Sequence, residues 1–141
     1  MRMIRTVLAA FAAVVLSLAL GASTLSPAGA ADKPKRILEE KNPKDFQVDF
    51  NAFKLKGKVY QPLVDGTVEP YVKGVVKLQK KTCGTCKWKT VKKVKTNENG
   101  AYTTKIFTPR QGRWKWRVKV PASDGYATTK GATWTTLFDR N

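Results

Sequence analysis

Apolar and polar residues alternate with a period of two along much of the chain. The runs are FQVDF at 46–50, FKLKGKVY at 53–60, VVKLQKK at 75–81, YTTKIF at 102–107 and WKWRVKV at 114–120. In the last run, two tryptophans and two valines fall on one side and three basic residues on the other. This alternation predicts half-buried antiparallel strands.

Turn signals separate these runs at short intervals. They are VDGT at 64–67, NENG at 97–100, PRQGR at 109–113 and PASDGY at 121–126. NENG predicts a hairpin turn. Short strands with this spacing predict an all-β fold, either a sandwich or a small barrel. We assign residues 46–141 to a single antiparallel β-sandwich. Its predicted core residues are Val76, Leu78, Tyr102, Ile106, Trp116 and Val118.

One segment departs from the alternation. In KWKTVKKVKT at 87–96, the apolar residues Trp88, Val91 and Val94 recur every three positions. A strand with a bulge or a strong twist produces this spacing, and a short helix would also produce it. The β-branched residues and the neighbouring strands favour the bulged strand.

The first 45 residues have a different character. Arg2 and Arg5 precede an apolar run at 7–20, and Ala-Gly-Ala follows at 28–30. This layout predicts a secretory signal peptide over residues 1–30, with an uncleaved anchor as the alternative. We therefore expect a secreted protein with no membrane span in the mature chain. Residues 31–45 are charged, contain two prolines and show no apolar period, which predicts a flexible arm.

The chain is strongly basic. It has 27 Lys and Arg against 10 Asp and Glu, and no histidine. Between Lys54 and Lys119 there are 18 basic and three acidic residues, a net charge of +15. Such a field attracts polyanions. It does not choose among nucleic acid, a wall polymer and a membrane surface.

The only two cysteines, Cys83 and Cys86, have C-x-x-C spacing. A thioredoxin-type site places its first cysteine at a helix N-terminus, whereas predicted lysine-rich strands flank this pair. A structural zinc site needs four ligands, so we expect no metal. In an oxidising compartment we predict a disulfide that clips a hairpin, with Gly84 in the first central position of its turn. A redox role for the pair is the alternative.

Several motifs occur in a fixed order: VKLQKK at 76–81, Trp88, TNENGAY at 96–102, GRWKWR at 112–117 and PASDGY at 121–126. In this order the chain resembles small Ig-like β-sandwich domains of secreted actinobacterial proteins, over roughly the half from residue 74 to 130. Those domains are similar in plan to transthyretin-like and carboxypeptidase-regulatory-like modules. The resemblance implies an Ig-like sandwich with a non-catalytic, accessory role. The cysteine pair and the excess of lysine depart from the pattern.

Catalytic chemistry has few candidate residues. Without histidine the commonest general base is missing, and neither a Ser-His-Asp nor a Cys-His arrangement can be built. Asp65, Glu69, Glu98 and Asp124 fall in predicted loops with no spacing that favours a carboxylate pair. We therefore expect no enzymatic activity and no cofactor. Among the tryptophans, Trp134 is the best candidate for an exposed aromatic residue.

Two functional hypotheses follow. The first is a secreted binding module whose lysine-rich strand faces hold an anionic polymer, such as teichoic acid, the wall itself or extracellular DNA. The simpler form of this first hypothesis is a soluble domain with a basic surface and no fixed ligand. The second is a thiol-disulfide protein that uses the cysteine pair. The predicted polyanion-binding residues, on one continuous surface, are Lys54, Lys56, Lys58, Lys77, Lys81, Lys105, Lys115, Arg117 and Lys119.

Overall fold

The computed structural model describes residues 32–41 and 53–138. These ranges contain nine β-strands and no helix, which confirms the all-β prediction. The strands are β1 (Ile37–Lys41), β2 (Phe53–Pro62), β3 (Val68–Pro70), β4 (Val75–Lys81), β5 (Lys89–Lys95), β6 (Ala101–Ile106), β7 (Arg113–Val120), β8 (Thr129–Lys130) and β9 (Trp134–Leu137). Within the same ranges, no helix has the length and hydropathy needed to cross a membrane. The predicted signal peptide and the FQVDF run lie outside the described residues.

The strands form two antiparallel sheets. In sheet 1 the order is β1-β2-β3, and β6 also pairs with β2; in sheet 2 the order is β5-β4-β7-β8, and β9 also pairs with β7. Every pairing between these strands is antiparallel. This is the predicted antiparallel β-sandwich.

Both sheets contribute to one hydrophobic core. All six predicted core residues are buried, each at most 3% exposed. They come from β4 and β7 of sheet 2 and β6 of sheet 1, and Leu55 and Val59 of β2 complete the sheet 1 side. The indole Nε1 of Trp116 donates a 2.9 Å hydrogen bond to Thr136 Oγ1, so the one polar atom of this buried ring is paired. The alternation therefore predicted the inward faces correctly.

Trp134 was wrongly predicted to be exposed. It is only 8% exposed and belongs to the core cluster. The reason is its register: Trp134 of β9 stands directly opposite Trp116 of β7, and opposed residues in a sheet point to the same face. The sequence around it, GATWTTLF, has no clear alternation that could have shown this.

The turns are present, but one joins different strands from those expected. VDGT closes the β2–β3 hairpin, with a hydrogen bond from Leu63 N–H to Thr67 O. NENG also forms a tight turn, in which Gly100 N–H donates to Asn97 O at 3.0 Å. However, it connects β5 of sheet 2 to β6 of sheet 1, so the hairpin prediction was wrong. Gly100 has a φ of 70° and lies against Val59 of β2. This contact is at the point where the chain passes from sheet 2 to sheet 1.

The irregular segment 87–96 contains a bulged strand, as predicted. Leu78 pairs with Lys92 but Gln79 pairs with Thr90, so the register shifts between them. Val91 is the additional residue in β5. The additional residue interrupts the alternation of sides along β5, which explains why the apolar residues of this segment do not follow a period of two.

The flexible-arm prediction was wrong for residues 36–41. β1 pairs along its whole length with β2, and Arg36 just before it is 2% exposed. The Arg36 guanidinium donates to Gln61 Oε1 and to the backbone oxygens of Pro121 and Ser123. The segment escaped prediction because the residues that fix it inside the fold, Arg36 and Glu40, are charged and so do not produce an apolar period.

Candidate functional site

The basic residues are distributed unequally between the sheets. The strands of sheet 2 contain 12 Lys and Arg, with three in β4, four in β5, four in β7 and one in β8, and they contain no Asp or Glu. The strands of sheet 1 contain five basic and three acidic residues. Sheet 2 is therefore the strongly cationic side of the described fold.

Four lysines lie side by side across sheet 2. Lys77 of β4 is opposite Lys93 of β5 on one side and Lys119 of β7 on the other. Lys119 is in turn opposite Lys130 of β8. Neighbouring strands are about 4.8 Å apart, so this lysine row spans roughly 14 Å. Since opposed residues point to the same face, all four side chains share the outward surface.

A second set of outward residues adjoins the row. Lys81 of β4 is opposite Lys115 of β7, and Gln79 is opposite Arg117 between that pair and the row. Val76 and Leu78, which alternate with these residues on β4, are buried. The outward face of β4 and β7 thus has the Gln79–Arg117 pair at its centre, with a lysine two residues away along each strand in both directions.

Arg117 is held by two contacts. Its Nε donates a 2.8 Å hydrogen bond to Gln79 Oε1, and its guanidinium carbon lies 4.2 Å from the centre of the Trp88 ring. Gln79 is 7% exposed and its amide also bonds Thr90 Oγ1 at 3.4 Å. Partial burial lowers the pKa of the Arg117 guanidinium from its ordinary value. The group stays charged at neutral pH because that ordinary value is so high.

The nine predicted polyanion-binding residues lie on two faces, so the expected single continuous surface was wrong. Five are on sheet 2: Lys77, Lys81, Lys115, Arg117 and Lys119. The other four are on sheet 1: Lys54, Lys56, Lys58 and Lys105. On sheet 1, Lys58 is opposite Glu39, so the positive charge there is partly compensated. Strand alternation could not assign these residues to sheets, because pairing between distant strands is a tertiary property.

Sequence reasoning missed four residues of this face: Lys93, Lys130, Gln79 and Trp88. Lys93 escaped because the bulge in β5 hides its alternation, and Lys130 because β8 has only two residues. Gln79 stood on the outward side of its run but carried no charge. Trp88 lies in the loop just before β5, and only the folded chain brings it to Arg117.

The cysteine pair lies in the loop between β4 and β5. The two sulfurs are at disulfide distance, and the Cα atoms are 5.0 Å apart. The Cys86 N–H donates to Cys83 O at 3.3 Å, so the expected turn is present. However, strand pairing ends at Lys80 and Lys89, so the turn sits inside a longer loop, and the φ of Gly84 is not positive. The disulfide therefore closes the turn at 83–86, and Trp88 follows this turn two residues later.

A half-buried carboxyl lies on sheet 1. Glu40 of β1 accepts a 2.8 Å hydrogen bond from the Ala132 N–H. Burial is the main cause that raises the pKa of Glu40, and hydrogen bonds from Ala132 and Tyr102 partly oppose it. Burial and the charge of Glu40 raise the pKa of the Tyr102 phenol. Gly57 allows this ring to lie close to the β2 backbone, since a Cβ there would meet the Tyr102 hydroxyl at 2.5 Å.

Three of the four candidate carboxylates contact other side chains of the fold. Asp65 accepts hydrogen bonds from the N–H and the hydroxyl of Thr67, and these lower the pKa of its carboxyl. Glu69 accepts from Gln61, and Asp124 forms an ion pair with Arg36 at 3.3 Å. Within residues 32–41 and 53–138, no three Asp, Glu, Cys or His side chains are grouped closely enough to bind a metal ion.

No family model, curated protein or solved structure matches this chain.

Proposed function

We propose that this protein is a secreted, non-catalytic β-sandwich of Ig-like plan that binds anionic polymers of the cell envelope. The outward face of sheet 2 is the binding surface. The observation that carries this proposal is the lysine row, in which Lys93, Lys77, Lys119 and Lys130 stand at directly opposed positions on four strands.

The row has an energetic cost that an anionic partner would remove. Like charges directly opposite each other destabilise a sheet, and no acidic residue occurs in the strands of sheet 2. A surface that only kept the protein soluble would mix both signs of charge, as sheet 1 does. A polymer with regularly spaced negative groups would neutralise the row and release its own counterions.

Lysines at the edge of a sheet have a second use, because they discourage pairing with other chains. That explanation suits β5, an edge strand with four lysines. It does not suit Lys77 and Lys119, which lie on the two central strands of sheet 2. The central position of half the row therefore favours a ligand.

The test is retention on isolated Gram-positive wall material at increasing salt. One variant replaces the row by glutamine, at Lys77, Lys93, Lys119 and Lys130. Its matched control replaces Lys54, Lys56, Lys58 and Lys105 on sheet 1, which removes the same charge from the other face. The wild type should elute as salt rises. The row variant should have a slope of log K against log salt smaller by about 3, since each contact contributes about 0.7–0.9.

The control variant should keep most of the wild-type slope. The row variant should also unfold at an equal or higher denaturant concentration, because it loses like-charge repulsion. An equal decrease of the slope in both variants would mean that binding depends only on net charge. If the wild type is not retained at low salt, the proposal is refuted.

A further inference from the structure

At the centre of the sheet 2 face, Arg117 is fixed in a way that the surrounding lysines are not. Its Nε donates a hydrogen bond to Gln79, and its guanidinium carbon lies over the Trp88 ring. Most long cationic side chains on a surface sample many rotamers, and ordering them on binding costs free energy. Arg117 is already ordered in the folded protein, so fixing it on binding costs less free energy than fixing a free lysine.

The two Nη nitrogens of Arg117 remain available to a ligand. Among the residues that the structure describes, the Arg117 side chain donates its hydrogen bond from Nε to Gln79, and neither Nη nitrogen donates one. Since Nε is occupied, a ligand would meet the guanidinium end-on, at Nη1 and Nη2. This pair of parallel N–H groups suits two oxygens of one oxyanion.

Four lysines surround this position. Lys115 and Lys119 are two residues away along β7, and Lys77 and Lys81 flank the opposite residue Gln79 on β4. Residues two apart on a strand are separated by about 7 Å, which the flexible lysine side chains can span. An oxyanion at Arg117 would therefore lie within reach of several ammonium groups.

We propose that Arg117 forms a phosphate subsite, at which the Nη groups bind two oxygens of a phosphate in the anionic polymer and the flanking lysines contact the others. The shape of the ligand is the reason for choosing phosphate over carboxylate. A phosphate is tetrahedral, so its remaining oxygens point out of the guanidinium plane toward the lysines. A carboxylate is planar, and both of its oxygens lie in the plane of the arginine. The subsite rests on the proposed function and adds a preference for phosphate to it.

The test compares Arg117→Lys with the wild type on three probes: poly(glycerol phosphate), poly-glutamate of equal charge and single-stranded oligo-dT. The substitution preserves the charge and removes the planar pair of donors. Its matched control is Arg113→Lys, an exposed arginine on the same strand. We expect Arg117→Lys to weaken binding to poly(glycerol phosphate) about tenfold, about 1.4 kcal/mol, since it removes a hydrogen bond between charged groups.

For Arg117→Lys, the affinity for poly-glutamate should change by less than about twofold, because the charge of the surface is unchanged. For the same reason, the affinity of Arg113→Lys for each of the three probes should change by less than about twofold. A second variant, Trp88→Leu, removes the stacking partner and leaves the guanidinium intact, so it should weaken phosphate binding in the same direction. Unchanged thermal unfolding would show that each variant is folded.

The outcomes separate the two proposals. Equal loss on poly(glycerol phosphate) and poly-glutamate, or no loss from Arg117→Lys, would overturn the phosphate subsite while wall binding through the lysine row still stood. Phosphate-dependent binding to oligo-dT alone would support the subsite and refute the envelope polymer as its source. No binding of the wild type to any probe would refute both.

Discussion

The guanidinium carbon of Arg36 lies 4.0 Å from the centre of the Tyr71 ring, and the ring of Tyr126 lies 4.7 Å from the same carbon. The arginine is buried between these two aromatic rings. Its hydrogen bonds reach Gln61 and the loop at 121–124. Arg36 thus joins the start of β1 to β2 and to the loop that follows β7.

Replacing Arg36 by alanine should destabilise the fold by about 3 kcal/mol, because it leaves buried acceptors without donors. Urea unfolding followed by tryptophan fluorescence would measure this. Lys35→Ala is the control, since Lys35 is exposed and its loss should change the free energy of unfolding by less than about 0.5 kcal/mol. An Arg36→Ala protein as stable as this control would show that β1 is not held by the arginine.

Replacing Trp116 by alanine should destabilise the fold by about 3–5 kcal/mol, the usual cost of removing a large aromatic side chain from a core. The cavity would adjoin Trp134, and Thr136 Oγ1 would lose its donor. The neighbouring Lys115→Ala provides the comparison in denaturant unfolding, because Lys115 points outward. A loss below about 1 kcal/mol for Trp116→Ala would be incompatible with its burial.

Replacing both cysteines by serine should destabilise the protein by about 2 kcal/mol, because so short a loop limits the unfolded chain only modestly. The same change should weaken phosphate binding, since it loosens the turn that ends two residues before Trp88. Thiol titration of protein purified from culture medium, under denaturing conditions, should find no free thiol. Two titratable thiols would instead favour the thiol-disulfide hypothesis.

The half-buried carboxyl of Glu40 should make stability depend on pH. Because burial raises its pKa in the folded state, the folded protein binds this proton more tightly than the unfolded chain does. The resulting stabilisation is fully present below the ordinary carboxyl pKa and is lost as pH rises through the raised value. Glu40→Gln cannot ionise, so its stability relative to the wild type should increase between pH 4 and pH 7.

Denaturant unfolding at several pH values would test this, with Glu39→Gln as the control. Glu39 is exposed on the outward side of β1, opposite Lys58. A constant difference between Glu40→Gln and the wild type would show that Glu40 has no raised pKa in the folded protein.

The sequence by itself determined the longer strands and the faces of their residues. Alternation with a period of two identified β2, β4, β6 and β7, and it assigned Trp116 and Val118 correctly to the core. The broken period at 87–96 predicted the bulge in β5. These properties are local, because the backbone of a strand directs successive side chains to opposite faces whatever the strand pairs with.

Only the tertiary structure decided which strands lie next to one another. NENG has the composition of a hairpin turn, yet the strands it joins belong to different sheets. Residues 37–41 became a strand because Arg36 and Glu40 found buried partners far away in the sequence. The lysine row exists only because β5, β4, β7 and β8 are adjacent in this register. Charge along the chain is set by composition, but charge on a surface depends on pairing between strands distant in sequence, and no local pattern encodes that pairing.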